Sequence, residues 1–397
     1  MYENLSIKFC GLNFKNPFTI AASPASDSRE KVERAFEAGW GGAVFKTTSV
    51  ESEPVNLVYP MMAGFSYKEK RHSSFYNIDL ISERHINEIE KDIDYLKSKY
   101  PDCIVIGSIM ASNKSDWVEL VHRLEAVGTD MIECSMSCPQ GESNGMIPVT
   151  DPNLTKKVTN WIKEATRENT PVIVKLSPMV NDIVAIAKAA KEGGADAICA
   201  IDTVKALGGV NLNTLEPFLS VNGKSTFGGL SGPCIKPIAL GCVAEIAKNV
   251  KIPIAGVGGI TSWNDVAEFL LLGAGTLQIC TAVMRYGFEM IDDLCDGLSN
   301  YMEIRGFNSV NDMVGRSLND IVDHDSLNRD IKIVSSFKKD LCVKDKLCYV
   351  ACRDGGNNAI SIDEEGYPLI DERRCKGCGL CISVCPVPNC MELKRLN

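Results

Sequence analysis

The sequence predicts a closed (β/α)8 barrel followed by a small cysteine-rich domain. Two observations predict the barrel. Short apolar, β-branched runs alternate with longer amphipathic stretches up to about residue 300, and polar or glycine-rich residues gather at and just after the ends of those runs. A third observation predicts the small domain: eight of the chain's 17 cysteines fall between Cys342 and Cys390.

The apolar runs are Phe18 to Ala22, Ala43 to Thr47, Ile104 to Ile109, Met131 to Met136, Val172 to Leu176, Ala197 to Ile201, Pro253 to Val257 and Leu277 to Thr281. Each is short and mostly apolar, as expected of strands buried on both faces. Helical spacing of apolar residues marks Ser28 to Ala38, Ser115 to Val127, Asn153 to Glu168, Val180 to Glu192, Ile235 to Lys248 and Trp263 to Leu271. An open doubly wound sheet is the alternative that the pattern leaves standing. The expected domains are a barrel over 1–305, a linker over 306–335 and a ferredoxin-like domain over 336–397. The linker reading rests on mixed charge and weak periodicity between residues 306 and 340.

Chemistry in such a barrel sits where the strands end. Lys46 and Thr47 end the second run, and Ser137, Cys138 and Pro139 follow the fourth. Lys175 lies near the end of the fifth, and Asp202 and Thr203 follow the sixth. Gly258 and Gly259 follow the seventh, while Cys280 and Thr281 end the eighth. Glycines after the seventh strand are where barrels of this kind offer backbone N–H groups to a phosphate.

Composition narrows the partners. The chain is 45% hydrophobic and 23% charged, with a net charge of -9, which gives no electrostatic footprint for nucleic acid or an anionic membrane. No apolar run reaches the ~18 residues of a membrane span, and the amino-terminal residues lack the basic-then-apolar pattern of a signal peptide. The expectation is a cytoplasmic protein, whose thiols stay reduced.

Four cysteines read Cys375-x2-Cys378-x2-Cys381-x3-Cys385-Pro386, the spacing of a bacterial iron-sulfur ferredoxin. Upstream, Cys342, Cys348 and Cys352 repeat the pattern with Asp345 in the second cysteine position. In two-cluster ferredoxins the fourth cysteine of each run reaches across to the other cluster. That rule groups Cys342, Asp345 and Cys348 with Cys385, and Cys375, Cys378 and Cys381 with Cys352. A zinc ribbon or a disulfide-stapled tail is the alternative, although zinc ribbons use two CxxC pairs roughly 15–20 residues apart. A carboxylate oxygen is a harder ligand than a thiolate, so Asp345 implies either a 4Fe-4S cluster with a labile, Asp-ligated iron or a 3Fe-4S cluster. Cys390 is read as packing. No glycine-rich dinucleotide fingerprint follows a first strand, so a partner must deliver the electrons.

Several motifs together resemble a known family. They are Gly11-Leu12-x2-Lys15-Asn16-Pro17-Phe18, Phe45-Lys46-Thr47, Ser73-Ser74-Phe75-x-Asn77-Ile78-x-Leu80-Ile81-Ser82, Ser137-Cys138-Pro139, Val174-Lys175-Leu176, Phe227-Gly228-Gly229-x-Ser231-Gly232 and Gly258-Gly259-Ile260. These resemble the flavin barrel of dihydropyrimidine dehydrogenases, itself similar to dihydroorotate dehydrogenase, and the cysteine tail resembles the carboxy-terminal domain of the same enzymes. The resemblance implies FMN at the barrel mouth, contacted by Ala22, Ser23, Lys46, Thr47, Lys175, Gly232, Gly258, Gly259, Cys280 and Thr281. A lysine beside the flavin ring can stabilise its anionic reduced form.

By the same resemblance Cys138 is the catalytic acid. It protonates one carbon of an activated C=C bond while the flavin delivers hydride to the other, and a thiol with a pKa of roughly 8.5 suits both directions. Ser137 orients it, and Gln140 to Met146 form a lid. The bland alternative for Cys138 is a small core residue. Substrate positions Asn77, Asp79, Ser135, Asp202 and Thr203 depart from the family pattern in three places. Its glutamate is Asp79, the asparagine three before the cysteine is Ser135, and the asparagine before Thr203 is Asp202. Sites that hydrogen-bond a ring discriminate by about 10⁴-fold or more against analogues that leave polar groups unpaired. The substrate is therefore expected to be a relative of uracil rich in N–H donors, or cationic; orotate fits worse, since its carboxylate would face Asp79 and Asp202. Asp202 could instead plug the barrel.

The resemblance also implies an NAD(P)H-oxidising FAD flavoprotein subunit as electron donor, with a ferredoxin as the alternative, and a homodimer. Two other functional classes stay open: a dihydroorotate dehydrogenase-type enzyme and a non-catalytic electron-transfer protein.

Overall fold

The computed structural model describes residues 3–50, 57–67, 70–136 and 148–396. It divides into two units, Met1–Asp320 and Ile321–Asn397.

The first unit is built on eight strands: β1 (Phe18–Ile20), β2 (Gly42–Val44), β3 (Ile104–Ile109), β4 (Met131–Ser135), β5 (Val172–Leu176), β6 (Ala197–Ala200), β7 (Ile254–Val257) and β8 (Thr276–Ile279). All pair in parallel with their sequence neighbours, and β8 closes on β1 with Leu277 opposite Phe18. Closure excludes the open sheet. Every residue of these strands is buried, which is why they read as continuous apolar runs and not as alternating ones.

Around them lie α1 (Arg29–Ala38), α2 (Ile86–Lys99), α3 (Lys114–Ala126), α4 (Pro152–Ala165), α5 (Ile183–Glu192), α6 (Lys236–Asn249), α7 (Trp263–Leu271) and α8 (Met290–Arg305). Local chemistry sets their ends. Asp151 caps α4 through the N–H groups of Asn153 and Leu154 with Pro152 at the first position, and Gly39 ends α1 at φ 114°. Helix α2 is absent from the sequence-predicted segments, although Ile86, Ile89, Ile93 and Leu96 form its buried stripe.

Two excursions from the barrel meet in a four-stranded antiparallel sheet, in the order Val204–Ala206, Gly228–Ser231, Lys70–Asn77, Met62–Tyr67. Their approach requires glycine. A Cβ on Gly228 would lie 1.9 Å from the Asn77 carbonyl oxygen, and one on Gly229 would lie 2.5 Å from Thr203 Oγ1.

Residues 306–335 do not form a free linker. Val310 and Met313 are buried in the barrel unit's core, and the N–H groups of Gly315 and Ser317 donate to Leu270 and Leu271 at the end of α7. From Ile333 the chain is already a strand of the second unit, Ile333–Phe337, paired antiparallel with Met391–Arg395. That unit adds a second hairpin, Ile360–Ile362 with Pro368–Ile370, and helices Leu347–Gly355 and Leu380–Val384. Its buried cluster is Val334, Ala359, Ile360 and Met391 with Cys348, Cys352, Cys375 and Cys381. So small a core needs a staple beyond apolar burial. Among the described residues no helix is long and apolar enough to cross a membrane.

Candidate functional site

A cavity opens where β5 to β8 and β1 end. Seven of the residues assigned to flavin by resemblance line it: Ala22, Lys175, Gly232, Gly258, Gly259, Cys280 and Thr281. Asp202 and Thr203 line it too. Gly232, Gly258 and Gly259 have φ of 91°, 129° and 79°, and a Cβ on Gly259 would lie 2.9 Å from the Gly232 carbonyl oxygen. The two loops therefore touch at a point only glycine allows. The N–H groups of Gly259 and Ile260 donate to no backbone carbonyl among the described residues.

Lys175 supplies the charge. Its ammonium is buried 3.9 Å from Asp202 and 4.0 Å from Glu133, beyond hydrogen-bond length, so its donors remain available to the cavity. Burial alone would lower the Lys175 pKa, but the Asp202 and Glu133 carboxylates outweigh it and hold the value above the ordinary lysine range. Glu133 is fully buried and accepts from Gln278 Nε2 at 2.7 Å across the barrel. Glu133 Oε1 and Gln278 Oε1 have no hydrogen-bond partner among the described residues. Sequence reading missed both residues. The signal was a charge and an amide inside strands otherwise apolar, at Ile132-Glu133-Cys134 and Leu277-Gln278-Ile279.

The remaining expected residues are used differently. Lys46 is buried and paired with Asp79 at 2.9 Å, so one lysine assigned to flavin and one carboxylate assigned to substrate hold each other. Asp79 and Asp202 thus each have a lysine nearby, which weakens the electrostatic case against orotate. Thr47 Oγ1 hydrogen-bonds Ser108 Oγ at 2.8 Å. Ser23 Oγ accepts from Ala25 N–H and caps a short 3-10 turn. Asn77 Nδ2 donates to the Gly229 carbonyl at 3.1 Å, and buried Ser135 stands opposite Lys175 in the β4–β5 register. Ser137, Cys138 and Gln140 to Met146 lie outside the described residues.

In the second unit the cysteines surround two separate cavities. Cys352, Cys375, Cys378 and Cys381 line one, with Ser335 beside them. Cys342, Asp345, Cys348 and Cys385 line the other, together with Cys390. This is the crossed grouping of the spacing rule. Around the first, Cys375 Sγ accepts from Ser335 N–H, Cys352 Sγ accepts from Ala359 N–H, both at 3.3 Å, and Ser335 Oγ lies 2.9 Å from Cys381 Sγ. Such donors stabilise anionic sulfur. Among the described residues no group of three or more His, Cys, Asp or Glu side chains is placed to hold a single metal ion. Thiols spread around a void fit a polynuclear cluster better.

The dihydroorotate dehydrogenase profile matches residues 4–302, and the 4Fe-4S dicluster domain profile matches residues 335–393. The chain belongs to the dihydroorotate dehydrogenase family. Its relatives include the NAD-dependent dihydropyrimidine dehydrogenase subunit PreA of Escherichia coli strain K12, 39% identical over 100% of this chain and 96% of that protein. Another is the chloroplastic dihydropyrimidine dehydrogenase (NADP(+)) of Arabidopsis thaliana, 34% identical over 82% of this chain and 79% of the relative. The catalytic subunit of dihydroorotate dehydrogenase B (NAD(+)) from Pyrococcus horikoshii is 36% identical over 79% and 98%. The protein is an oxidoreductase acting on CH–CH bonds. Membership implies FMN, and the dicluster domain implies iron-sulfur clusters. Among the described residues the barrel fits FMN: a buried cation beyond hydrogen-bond length of its carboxylates, amide and carboxylate oxygens without hydrogen-bond partners, and N–H groups at a glycine turn that donate to no backbone carbonyl.

A further feature beside the Gly258–Gly259 turn lay unread in the sequence. Asp265 accepts from the N–H and hydroxyl groups of Thr261 and Ser262 and pairs with Lys236 at 2.6 Å. It joins the turn after Gly258 and Gly259 to the start of α6, and its signal was the Ser262-x2-Asp265 capping box. Burial pushes the Asp265 pKa up, but Lys236 and Thr261 outweigh it and hold it below the carboxylate range. A depressed folded pKa stabilises above the unfolded value of about 3.9, and that contribution disappears as pH falls through the folded value. Asp265→Ala is expected to cost about 2 kcal/mol at neutral pH, measured by urea unfolding. A cost under about 0.5 kcal/mol would mean that the turn holds itself.

Proposed function

We propose that this protein is the flavin-bearing, iron-sulfur subunit of a reductase acting on an activated C=C bond in a pyrimidine or related unsaturated N-heterocycle. The observation that carries the reading is the convergence of Lys175, Asp202, Thr203, the Gly258–Gly259 turn and Cys280–Thr281 on one barrel-mouth cavity, in a chain that also holds two cysteine-lined cavities. Full-length similarity to a dihydropyrimidine dehydrogenase subunit supports it.

Bound FMN supplies hydride exchange with the substrate carbon. The chain does the rest. Lys175 places fixed positive charge where negative charge develops, and Glu133 and Asp202 keep it charged. The Gly259 and Ile260 N–H groups suit a phosphate. Cys138, which follows β4 in the sequence, gives its proton to the neighbouring carbon, with Ser137 orienting it and Gln140 to Met146 excluding water. Asn77, Asp79, Ser135, Asp202 and Thr203 select the ring. Cys352, Cys375, Cys378 and Cys381 would hold one 4Fe-4S cluster, and Cys342, Cys348 and Cys385 with Asp345 a second, 4Fe-4S or 3Fe-4S; these would supply electron transfer from an NAD(P)H-oxidising FAD flavoprotein or a ferredoxin, in a cytoplasmic homodimer.

The test is anaerobic reoxidation of the chemically reduced protein, following the flavin band with uracil, thymine, orotate and amino-substituted or cationic heterocycles. Turnover of an N–H-rich or cationic ring well above uracil is expected, and Asp202→Asn should shift preference back toward uracil. Equal rates for uracil and those rings would remove Asp202 from selection. Orotate outpacing every neutral ring would favour the dihydroorotate-type reading, which the lysine partners of Asp79 and Asp202 make electrostatically reasonable. Failure of every ring would leave electron transfer alone.

A further inference from the structure

The second cysteine-lined cavity has one thiol more than the spacing rule allots it. Alongside Cys342, Cys348 and Cys385 it is lined by Cys390, which is only 2% exposed. Cys390 shares the wall of that cavity with Cys342 and Cys385, and its Sγ donates a long bond, 3.8 Å, to the Lys338 carbonyl. Its backbone is firmly held: the Cys390 carbonyl accepts from Lys338 N–H at 2.9 Å, and Met391 begins the strand paired with Ile333–Phe337.

Asp345, in the position where a cysteine belongs, is committed elsewhere. Its side chain is exposed, and Oδ1 accepts from Leu347 N–H at 2.7 Å at the start of helix Leu347–Gly355. That bond satisfies an otherwise unpaired helix donor and places negative charge at the end of the helix that favours it. Ligation through the other carboxylate oxygen would present iron with a harder donor than the thiol already in the cavity.

We propose that the cluster held by Cys342, Cys348 and Cys385 takes Cys390, and not Asp345, as its fourth protein ligand. The thiol loses its proton as the iron-sulfur bond forms, and no electron is exchanged in that step. The cluster then keeps all its irons despite the missing cysteine. This rests on the reading of the carboxy-terminal unit as an iron-sulfur domain.

The test uses full-length chains reconstituted anaerobically with iron and sulfide, oxidised mildly with ferricyanide, and read by iron analysis, EPR and Mössbauer spectroscopy. Wild-type protein and Asp345→Ala should show no three-iron EPR signal. Cys390→Ala should lose roughly one iron per chain and gain that signal, and adding Asp345→Cys to it should restore the four-iron spectrum. A three-iron signal in wild-type protein or in Asp345→Ala, or an intact four-iron spectrum in Cys390→Ala, would overturn the proposal. Should Cys390→Ala lose the cluster altogether, rescue by Asp345→Cys supports the assignment and failure of rescue overturns it. Sulfide-bound iron missing from every variant, wild type included, would instead overturn the iron-sulfur reading and this proposal with it.

Discussion

Replacing Cys138 with alanine is expected to lower turnover about 10²- to 10⁴-fold while flavin content stays that of the wild type. Hydride addition to an activated C=C bond leaves charge on the neighbouring carbon, and a positioned acid removes it in the same event. The other thiols nearby are poor substitutes. Cys134 is fully buried in β4, and burial, with Glu133 adding to it, pushes its pKa well above the ordinary thiol value. Cys280 lines the cavity, but burial raises its pKa too and Lys175 only partly opposes this. Both therefore hold their protons more tightly than an ordinary cysteine. Steady-state assays should show the loss in kcat, and Cys138→Ser should be intermediate. Full turnover in the alanine variant would remove Cys138 from the chemistry and leave the proton source to solvent.

Lys175→Met should have the largest effect on the folded protein itself. The substitution leaves Glu133 buried without the cation that Asp202 and Glu133 share, a loss of about 3–5 kcal/mol where one partner of a buried pair is removed. Urea unfolding without cofactor reads that cost, and flavin titration of the same protein should show markedly weaker binding. The pH dependence has a definite sign. A lysine whose folded pKa is raised contributes its full stabilisation below the unfolded value of about 10.4 and loses it only as pH rises through the higher folded value. Flavin affinity should therefore show no lysine titration between pH 6 and about 10. An affinity loss with a midpoint below that range would mean that Glu133 and Asp202 do not govern this ammonium. A stability cost under about 1 kcal/mol would mean that Glu133 simply takes up a proton.

What could be read from residue order follows local physics. Eight fully buried strands leave eight apolar runs, so the barrel was visible in Val172–Leu176 as readily as in Ile104–Ile109. Cysteine spacing depends on loop length alone, so the two cavities and their crossed grouping could be written down from residue numbers. Glycines forced by close approach, such as Gly228 and Gly259, were visible as motifs, though not the carbonyl each one admits.

Contacts between residues far apart in sequence were settled only by the tertiary structure. Glu133 and Gln278 are 145 residues apart and meet across the barrel; nothing local in either strand announces the other. Lys46 and Asp79 were assigned to different ligands, yet closure of the excursion after β2 sets them 2.9 Å apart. The mixed charge of 306–335 suggested a linker, whereas packing of Val310 and Met313 on the barrel core overrides that local preference. Cys390 read as packing because a residue five positions past Cys385 belongs to no spacing rule. The pairing of Met391–Arg395 with Ile333–Phe337 is what brings its thiol to the cavity that Cys342 lines, since a sheet register joins residues by hydrogen bonding and not by their distance along the chain.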